Sequence, residues 1–319
     1  MITVICPVYN ESGYIRNVLD FFIKGLPAEK ELIIIDGGST DDTKAIVAEY
    51  AIHHPNIRVI DNPDKFVPFA LNKAILASKG DPVIRLDAHT TYADDYFVKI
   101  LETFAKTGAD IVGGPMRANG KTNFQKAVAT ATSTSLGVGD SSFHDEFHEG
   151  YVDSVYLGSW KRNVFETAGL FDTDMIRNQD DEFHYRAKAK GLKIYLNPQI
   201  TSWYYPRSSV TSLFRQYYQY GLFKPLVLKK VKTGVRLRHL IPSGFVCYLI
   251  LLFAMTSIPA ATFPLLLYVL LAIFFAVRKS DNAIMAADML IVYPLIHIAY
   301  GSGFIIGLIT LWSGRKPSI

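Results

Sequence analysis

The stretch VIRLDAH at positions 83–89 is an apolar run that ends in an acid and an imidazole two residues apart. Open α/β sheets bind ligands at the carboxyl ends of their strands. Side chains two positions apart in a strand point to the same side, so Asp87 and His89 would hold one ion together if the extended backbone continued through Ala88. An isolated Asp-x-His is more often an ordinary strand–loop junction, but the rest of the chain favours the ion site.

Short apolar runs alternate with helical patterns around this stretch. The predicted strands are 2–8, 31–35, 57–61, 83–87 and 110–113, and the predicted helices between them are 15–26, 42–50, 69–78 and 96–107. This alternation predicts an α/β fold with a doubly wound, mainly parallel sheet.

The pattern becomes irregular after residue 114. Residues 115–154 are rich in Gly, Ser, Thr and His and predict loops and short helices over the active edge of the sheet. Residues 157–170 predict a turn and a helix, and 193–196 a final edge strand. Residues 180–190 predict a helix with an acidic first turn, which the helix dipole favours.

The charge of the chain differs between its two halves. Residues 1–182 contain 17 Lys and Arg against 27 Asp and Glu, whereas residues 183–319 contain 16 against 2. A basic half joined to long apolar runs favours an anionic membrane surface over nucleic acid as the partner. The only two cysteines, Cys6 and Cys247, fit a reducing compartment. The N-terminal residues lack the layout of a signal peptide, so we expect the first domain to face the cytoplasm.

The last third of the chain predicts a membrane domain. We place a basic amphipathic segment at 207–239, which lies at the membrane interface or is the solvated basic face of a soluble helix. Residues 240–319 then contain about three apolar helices, approximately 241–258, 261–277 and 288–312. The first two are near the lower length limit for crossing a bilayer, so a re-entrant hairpin is the alternative.

Basic residues predict the orientation of these helices. Arg278 and Lys279 are expected in the cytoplasm by the positive-inside tendency. Arg315 and Lys316 then fall outside, which the same tendency disfavours. His297, within the third helix, is expected to be a packed or interfacial group rather than a ligand.

Polar residues at one sheet edge offer what a nucleotide diphosphate sugar would need. The run PVYNE at 7–11 can wall and hydrogen-bond a nucleobase, and Asp36 can bind the base or the ribose. Asp87 and His89 can hold Mg²⁺ or Mn²⁺, with imidazole favouring Mn²⁺. A nucleotidyltransferase could use a similar sheet, but the N-terminal part has no glycine-rich phosphate loop.

Four motifs identify the chain as a member of glycosyltransferase family 2, which implies the GT-A fold. PVYNE at 7–11, DGGSTDDT at 36–43, LNK at 71–73 and LDAH at 86–89 occur in that family's order. The resemblance covers about residues 1–240. Within the family, the chain is most similar to membrane-bound enzymes of succinoglycan and related exopolysaccharide assembly, through RLDAH at 85–89, LGVG at 136–139, VYLGSWKR at 155–162 and the stretches 178–186 and 215–221.

The resemblance implies a catalytic base. The family's Glu-Asp pair appears as Gln179-Asp180, six residues before Arg186, which assigns the base to Asp180. Asp181 and Glu182 are close alternatives, and a simple acidic helix start is another.

The resemblance also implies a metal-dependent donor site. His89 replaces the second acid of the family's Asp-x-Asp metal motif, so metal use is expected with a changed preference between Mn²⁺ and Mg²⁺. Arg117 is expected at the diphosphate, with a surface salt bridge as the alternative. The expected donor-binding residues are Pro7, Tyr9, Asn10, Glu11, Asp36, Asn72, Lys73, Arg85, Asp87 and Arg117.

The expected acceptor site includes an altered family motif. QYYQY at 216–220 stands where processive members carry Gln-x-x-Arg-Trp to grip the growing glycan, so its alteration implies one sugar per acceptor. Aromatic anchors of an interfacial helix are the alternative. Trp160 could stack on an acceptor sugar or be a core tryptophan. The expected acceptor-binding residues are Gly158, Trp160, Arg215, Gln216, Gln219 and Tyr220.

Together these features predict a GT-A catalytic domain at 1–206, the interfacial segment at 207–239 and the membrane domain at 240–319. The expected activity is inverting, metal-dependent transfer of one sugar from a nucleotide diphosphate sugar, most simply a UDP-sugar, to a polyprenyl-diphosphate-linked saccharide. The alternatives are a polyprenyl-phosphate sugar synthase and a catalytically inactive membrane scaffold. The expected location is the cell membrane, with several spans and the catalytic domain in the cytoplasm.

Overall fold

The computed structural model describes residues 1–139, 142–232, 236–254 and 258–318. The chain forms two units: the first contains Met1–Arg117 and Ser142–Tyr204, and the second contains Ala118–Ser141 and Tyr205–Ile319. Residues 118–141, which we assigned to the catalytic domain, therefore group with the C-terminal helices. The boundary at 206/207 stays a prediction.

The strands are β1 (Ile2–Val8), β2 (Lys30–Asp36), β3 (Ile57–Asp61), β4 (Val83–Arg85), β5 (Thr90–Tyr92), β6 (Ile111–Gly114), β7 (Arg117–Ala118), β8 (Gly150–Tyr151), β9 (Tyr156–Trp160), β10 (Ile194–Leu196) and β11 (Ser202–Tyr204). The helices are α1 (Ile15–Lys24), α2 (Thr43–His53), α3 (Val67–Ala77), α4 (Tyr96–Thr107), α5 (Asn123–Thr132), α6 (Ser135–Val138), α7 (Asn163–Ala168), α8 (Gln179–Ala189), α9 (Val210–Val231), α10 (Leu237–Ala254), α11 (Phe263–Lys279) and α12 (Ala283–Trp312). Short 3-10 turns occur at Ser142–His144 and Pro259–Thr262.

The main sheet has the strand order β3-β2-β1-β4-β9-β6-β10-β8. Strands β3, β2, β1 and β4 are parallel neighbours, whereas β9 runs antiparallel to both β4 and β6. Because parallel strands end at one edge, Val8 stands beside Asp36 and Ile5 beside Arg85. This mixed, mainly parallel sheet with helices confirms the predicted fold class.

The sheet is buried on both faces, as its near-continuous apolar strands require. Val4, Cys6 and Val8 of β1 pack into one core cluster with α1 and α4. Ile5 of the same strand packs into the cluster on the opposite face, together with Ile33 of β2. The alternation along β1 follows from the two-residue period of a strand.

Three local predictions were wrong. Residues 156–160 form strand β9, paired with β4 and β6, where we predicted a turn, whereas the helix predicted after it is present as α7. Strand β10 is not at the edge, since the short β8 pairs with its outer side. Strand β4 ends at Arg85 rather than at residue 87. A small separate sheet has the order β5-β11-β7.

In the second unit, α10, the segment Pro259–Lys279 and α12 are long and apolar enough to cross a membrane. They correspond to the predicted helices 241–258, 261–277 and 288–312, although residues 255–257 lie outside the described part of the chain. Helix α9 falls within the predicted interfacial segment, of which residues 233–235 are likewise not described.

Helix α12 packs against α5, α9, α10 and α11. Glycines let α9 and α12 approach closely: Cβ atoms added to Gly221, Gly303 or Gly307 would lie 2.0–2.3 Å from carbonyl oxygens of the opposite helix. His297 is nearly buried, with Nδ1 2.8 Å from the Tyr268 hydroxyl and Nε2 2.9 Å from the Leu136 carbonyl oxygen. His297 is therefore a packed group, as expected.

Candidate functional site

The end of β2 supplies a buried carboxylate. Asp36 is almost completely buried, and its Oδ2 accepts hydrogen bonds from the backbone N–H groups of Gly38 and Ser39, both at 3.0 Å. Its Oδ1 has no hydrogen-bond partner among the described residues. A buried carboxylate oxygen without a donor is costly, so Asp36 can receive a hydroxyl or N–H group from a ligand.

The loop after β1 is held against the loop after β2. The N–H of Asn10 donates to Ser39 Oγ at 2.9 Å, and Asn10 Oδ1 accepts from the Thr40 N–H at 2.8 Å. This locks Asn10 in the left-handed region at φ 55°. Tyr9 is 51% exposed. An exposed aromatic residue, Tyr9, thus follows the end of β1, beside the buried acid Asp36 at the end of β2.

The chain turns directly after Asp87. The Thr90 N–H donates to the Asp87 carbonyl at 3.2 Å, and the Asp87 N–H donates to the Tyr92 hydroxyl at 2.7 Å. Ala88 and His89 form a turn, so the extended backbone that we assumed between Asp87 and His89 is wrong. The shared orientation of these two side chains therefore no longer follows from strand geometry.

His89 pairs with an acid from the β1 loop. Its Nδ1 lies 3.1 Å from Glu11 Oε1, with the His89 side chain 47% exposed. An imidazole whose Nδ1 donates to a carboxylate presents Nε2 as its metal-binding atom. Burial raises the pKa of the Cys6 thiol, and the charges of Asp87 and Glu11 raise it further.

One guanidinium joins two of the predicted site residues. Arg85 Nη1 donates to both carboxylate oxygens of Asp180, at 2.9 and 3.0 Å. Its Nε donates to Asp87 Oδ1 at 3.0 Å, and its Nη2 lies 3.4 Å from Asp87 Oδ2. Burial acts to lower the pKa of Arg85, but the Asp180 and Asp87 carboxylates raise it above its ordinary value. The guanidinium is therefore charged and bridges both acids.

The acids around Asp180 have different surroundings. Asp180 is half-buried in the first turn of α8. Glu182 is buried and accepts from Arg186 at 2.7 and 2.9 Å. Arg186 also donates to the backbone carbonyls of Ala168 and Leu170. Glu182 is thus used to anchor α8, and its proposal as an alternative base is wrong. Asp181 remains an alternative.

Three predicted donor residues have partners within the first unit. Asn72 Nδ2 donates to the Phe171 carbonyl at 2.8 Å and its Oδ1 accepts from the Phe171 N–H at 2.9 Å. Lys73 Nζ donates to Asp64 at 3.0 Å. Arg117 donates to the Pro198 carbonyl at 2.8 Å and lies 3.5 Å from Glu146. For Arg117, the salt-bridge alternative is the one observed.

The predicted acceptor residues divide between the two units. Trp160 is 0% exposed and its ring packs edge-on against Phe171 and Phe183, so the proposal that it stacks on an acceptor is wrong. Gly158 leaves room for this ring, since a Cβ there would lie 3.0 Å from it. The remaining residues, Arg215, Gln216, Gln219 and Tyr220, lie on α9 of the second unit. Their acceptor role stays a prediction.

Sequence reasoning missed the bridging geometry of Arg85 and a buried histidine, His184, on the helix that carries Asp180. His184 Nδ1 lies 2.9 Å from Ser154 Oγ, and its Nε2 has no partner among the described residues. Burial lowers the pKa of His184, despite the opposing charges of Asp180 and Asp181. Its position four residues after Asp180, on the same side of a helix, was the available signal.

The described residues contain no group of three or more His, Cys, Asp or Glu side chains that could hold a metal ion by themselves. A carboxylate and an imidazole still suit an ion that takes its other ligands from a diphosphate, as Mg²⁺ often does. Arg85 uses part of the hydrogen-bonding capacity of the Asp87 carboxylate. A carboxylate offers about four lone-pair sites, so Asp87 can still bind a cation. The donor set therefore fits an ion that arrives with its substrate.

Comparisons with known proteins show the family to which the chain belongs. The model of glycosyl transferase family 2 matches residues 3–169. The succinoglycan biosynthesis protein ExoA of Rhizobium meliloti is 32% identical over 242 residues, which are 75% of this chain and 73% of that protein. The dolichyl N-acetyl-α-D-glucosaminyl phosphate 3-β-D-2,3-diacetamido-2,3-dideoxy-β-D-glucuronosyltransferase of Methanococcus voltae is 30% identical over 322 residues, 97% of each chain.

A solved structure has the same fold. The mannosyltransferase PcManGT of Pyrobaculum calidifontis, in complex with GDP-Man and Mn²⁺, superposes with a TM-score of 0.60 at 18% identity and covers 98% of this chain and 88% of that chain. With the family match over more than half its length, the chain belongs to glycosyl transferase family 2 and is a glycosyltransferase of polysaccharide or glycan biosynthesis.

Proposed function

We propose that this enzyme transfers one sugar, with inversion, from a nucleotide diphosphate sugar to a lipid-linked saccharide. The observation that carries the proposal is the Arg85 bridge, which brings Asp180 and Asp87 to one guanidinium at the carboxyl edge of the sheet. Asp36 and Tyr9 lie at neighbouring strand ends, where they would bind the base and ribose. We take a UDP-sugar as the donor.

Asp180 acts as the general base. Its carboxylate takes the proton of an acceptor hydroxyl while that oxygen forms a bond to the anomeric carbon of the donor. The bond from the anomeric carbon to the diphosphate oxygen breaks, and the nucleoside diphosphate leaves. Attack opposite the leaving group inverts the anomeric configuration. A positioned general base typically contributes about 10²–10⁴-fold to the rate.

Asp87 and His89 would hold the divalent cation, Mn²⁺ or Mg²⁺. When bound, such an ion stabilises the negative charge that develops on the departing diphosphate. Glu11 would orient the imidazole by accepting from its Nδ1, at the observed 3.1 Å.

The acceptor is a sugar on a polyprenyl phosphate or diphosphate. The support is the Methanococcus voltae relative, whose name gives a dolichyl-phosphate-linked sugar as its acceptor and which matches nearly the whole chain. Lys229, Lys230 and Lys232 at the end of α9 suit the anionic headgroup region. We place the enzyme in the cell membrane as a multi-pass protein with the first unit in the cytoplasm.

A panel of nucleotide sugars tests the donor site. Ligands that bind only the folded state raise the apparent stability, so a UDP-sugar with Mn²⁺ or Mg²⁺ is expected to raise the thermal midpoint of the solubilised enzyme. If only GDP-sugars raise the thermal midpoint, the donor is a GDP-sugar and the proposal of a UDP-sugar is wrong. Absence of stabilisation by every nucleotide sugar and metal would favour an inactive scaffold.

Transfer to extracted lipids tests the acceptor. Labelled donor is incubated with polyprenyl phosphate or with polyprenyl-linked saccharides, and the lipid phase is counted. We expect label only on the saccharide-bearing lipid, increased by one sugar. Label on bare polyprenyl phosphate would instead identify a polyprenyl-phosphate sugar synthase.

A further inference from the structure

We propose that Arg85 is a positioning residue that fixes the base Asp180 relative to Asp87, rather than a ligand of the donor. The inference rests on the proposed function and assigns to Arg85 a role different from the donor binding that the sequence suggested. Its basis is the shared guanidinium, which contacts both acids at 2.9–3.4 Å.

The contacts use the planar shape of the guanidinium. Nη1 serves both oxygens of Asp180, while the Nε and Nη2 side faces Asp87. A planar fork can satisfy two carboxylates in one fixed geometry, which a lysine ammonium on a flexible stem cannot do. The distance and angle between the two acids are therefore set by Arg85.

Arg85 is also held rigidly. Only 6% of the residue is exposed. Its backbone belongs to β4, where Arg85 lies opposite Ile5 of β1. The next residue continues this pairing, since the Leu86 N–H donates to the Ile5 carbonyl at 2.9 Å. A rigid strand supplies a precise support for a catalytic group. In contrast, a side chain that receives a diphosphate has to leave its nitrogens open to the ligand, and each nitrogen of Arg85 already faces a carboxylate.

The bridge also solves an electrostatic problem. Asp180 and Asp87 are two acidic groups with different proposed roles, one accepting a proton and one binding a cation. Two carboxylates that share a site repel each other unless a cation lies between them. The Arg85 guanidinium is that cation, since it contacts both acids.

The test compares Arg85→Lys with Arg58→Lys. Arg58 donates to Glu31 at 3.2 Å from strand β3, so the control makes the same exchange in another arginine–carboxylate pair. For Arg85→Lys we expect kcat to fall about 10²-fold, the cost of misplacing a reacting group by about 1 Å. The KM for the donor should change by less than about threefold, because ground-state binding is retained.

A second readout does not depend on turnover. The increase in thermal midpoint caused by nucleotide sugar with Mn²⁺ should be the same in Arg85→Lys as in the wild type. Combined with Asp180→Asn, Arg85→Lys should cause no further loss of rate, because residues that act as a unit are non-additive. The Arg58→Lys control should keep both kcat and the thermal increase.

The proposal is overturned if Arg85→Lys keeps kcat within about twofold of the wild type, or if the donor-dependent thermal increase disappears together with kcat. The second result would make Arg85 a donor ligand. If Arg85→Lys does not fold, Arg85→Gln, which keeps an N–H donor at this position but removes the planar fork, takes its place with the same criteria. A wild-type enzyme that transfers no sugar would refute the proposed function instead, which keeps the two failures apart.

Discussion

Asn72 uses both ends of its side-chain amide on the backbone of Phe171, which lies 99 residues further along the chain. The bonds tie α3 to the segment that precedes α8. Because α8 begins with Gln179 and Asp180, this tie supports the position of the base from a distance.

We predict that Asn72→Ala lowers the free energy of unfolding by roughly 1–3 kcal/mol, since the partly buried Phe171 N–H and carbonyl lose their partners. Thermal or urea unfolding measures the change. The control Asn17→Ala, at an exposed position of α1, should stay within about 0.5 kcal/mol of the wild type. Loss of donor binding without loss of stability would support the donor role predicted from the sequence.

A second prediction concerns the pH dependence of stability. Burial lowers the pKa of His184 below its ordinary value of 6.5, so the unfolded chain takes up a proton first as the pH falls. The stabilising contribution of neutral His184 is therefore complete above about pH 6.5 and is lost below it. Unfolding measured between pH 8 and about 5 should show this loss in the wild type.

His184→Gln removes the titrating group and should flatten the acid side of that stability curve. His53→Gln, at an exposed position of α2, should leave the curve as it is in the wild type. An equally steep loss of stability in His184→Gln would show that another group causes the acid sensitivity.

At this scale the sequence predicted residue types better than their pairings. Asp180 and Asp87 were both expected at the site, but Arg85 and Asp180 are 95 positions apart, and no local pattern predicts a bridge between them. The surroundings of Trp160 were also not predictable. The sequence does not reveal strand β9, so it does not show which residues of 156–160 face the core.

At the scale of elements, glycines determine how closely α9 and α12 approach. Small residues let apolar helices pack backbone to backbone, which is the usual source of helix association in membranes. Gly303 faces the Tyr218 carbonyl oxygen, and an added Cβ would lie 2.2 Å from it. The helix that carries the predicted acceptor residues is thus seated on α12.

We predict that Gly303→Ala forces these helices apart and lowers the thermal midpoint of the detergent-solubilised enzyme, at a cost of about 1–3 kcal/mol for overpacking. Gly244→Ala on α10 is the control, because an added Cβ there meets no atom within 4 Å. Alanine favours a helix over glycine, so the control should be as stable as the wild type or more so. Equal stability of the two variants would contradict the close packing.

Elements with strong periodicity were predicted well, and short irregular ones were not. Strands β1, β2 and β3 follow from their apolar runs, whereas the two-residue strands β7 and β8 carry too few residues for any pattern. The turn at Ala88 and His89 depends on hydrogen bonds that join the Asp87 backbone to the Thr90 N–H and the Tyr92 hydroxyl, which a strand pattern does not reveal.

At the scale of the whole molecule, the chain combines an α/β unit with a helical unit whose sequence is interrupted. Residues 118–141 lie between two segments of the first unit along the chain but belong to the second unit. Ala127 and Val128 of α5 share a core cluster with Tyr293 of α12. Composition alone gave no sign of this, because α5 is short and its apolar face is made mostly of alanine.

The proposed orientation predicts where two introduced cysteines react. In a Cys247→Ser background, with Cys6 buried, Asp281→Cys should react with a membrane-impermeant maleimide only after cells are permeabilised, because the proposal puts the residues around Arg278 in the cytoplasm. Ser318→Cys should react in intact cells, since the proposal has α12 cross the membrane once more. Reaction of both positions under the same condition would show that α12 does not cross the membrane and would contradict three crossings.

The most direct test of the central claim is the rate of sugar transfer by Asp180→Asn, measured with labelled nucleotide sugar and a lipid-linked saccharide. We predict a loss of about 10²–10⁴-fold, the usual contribution of a general base, while the thermal increase caused by donor and Mn²⁺ stays as in the wild type. Transfer at the wild-type rate would contradict the assignment of Asp180 and with it the account of the site.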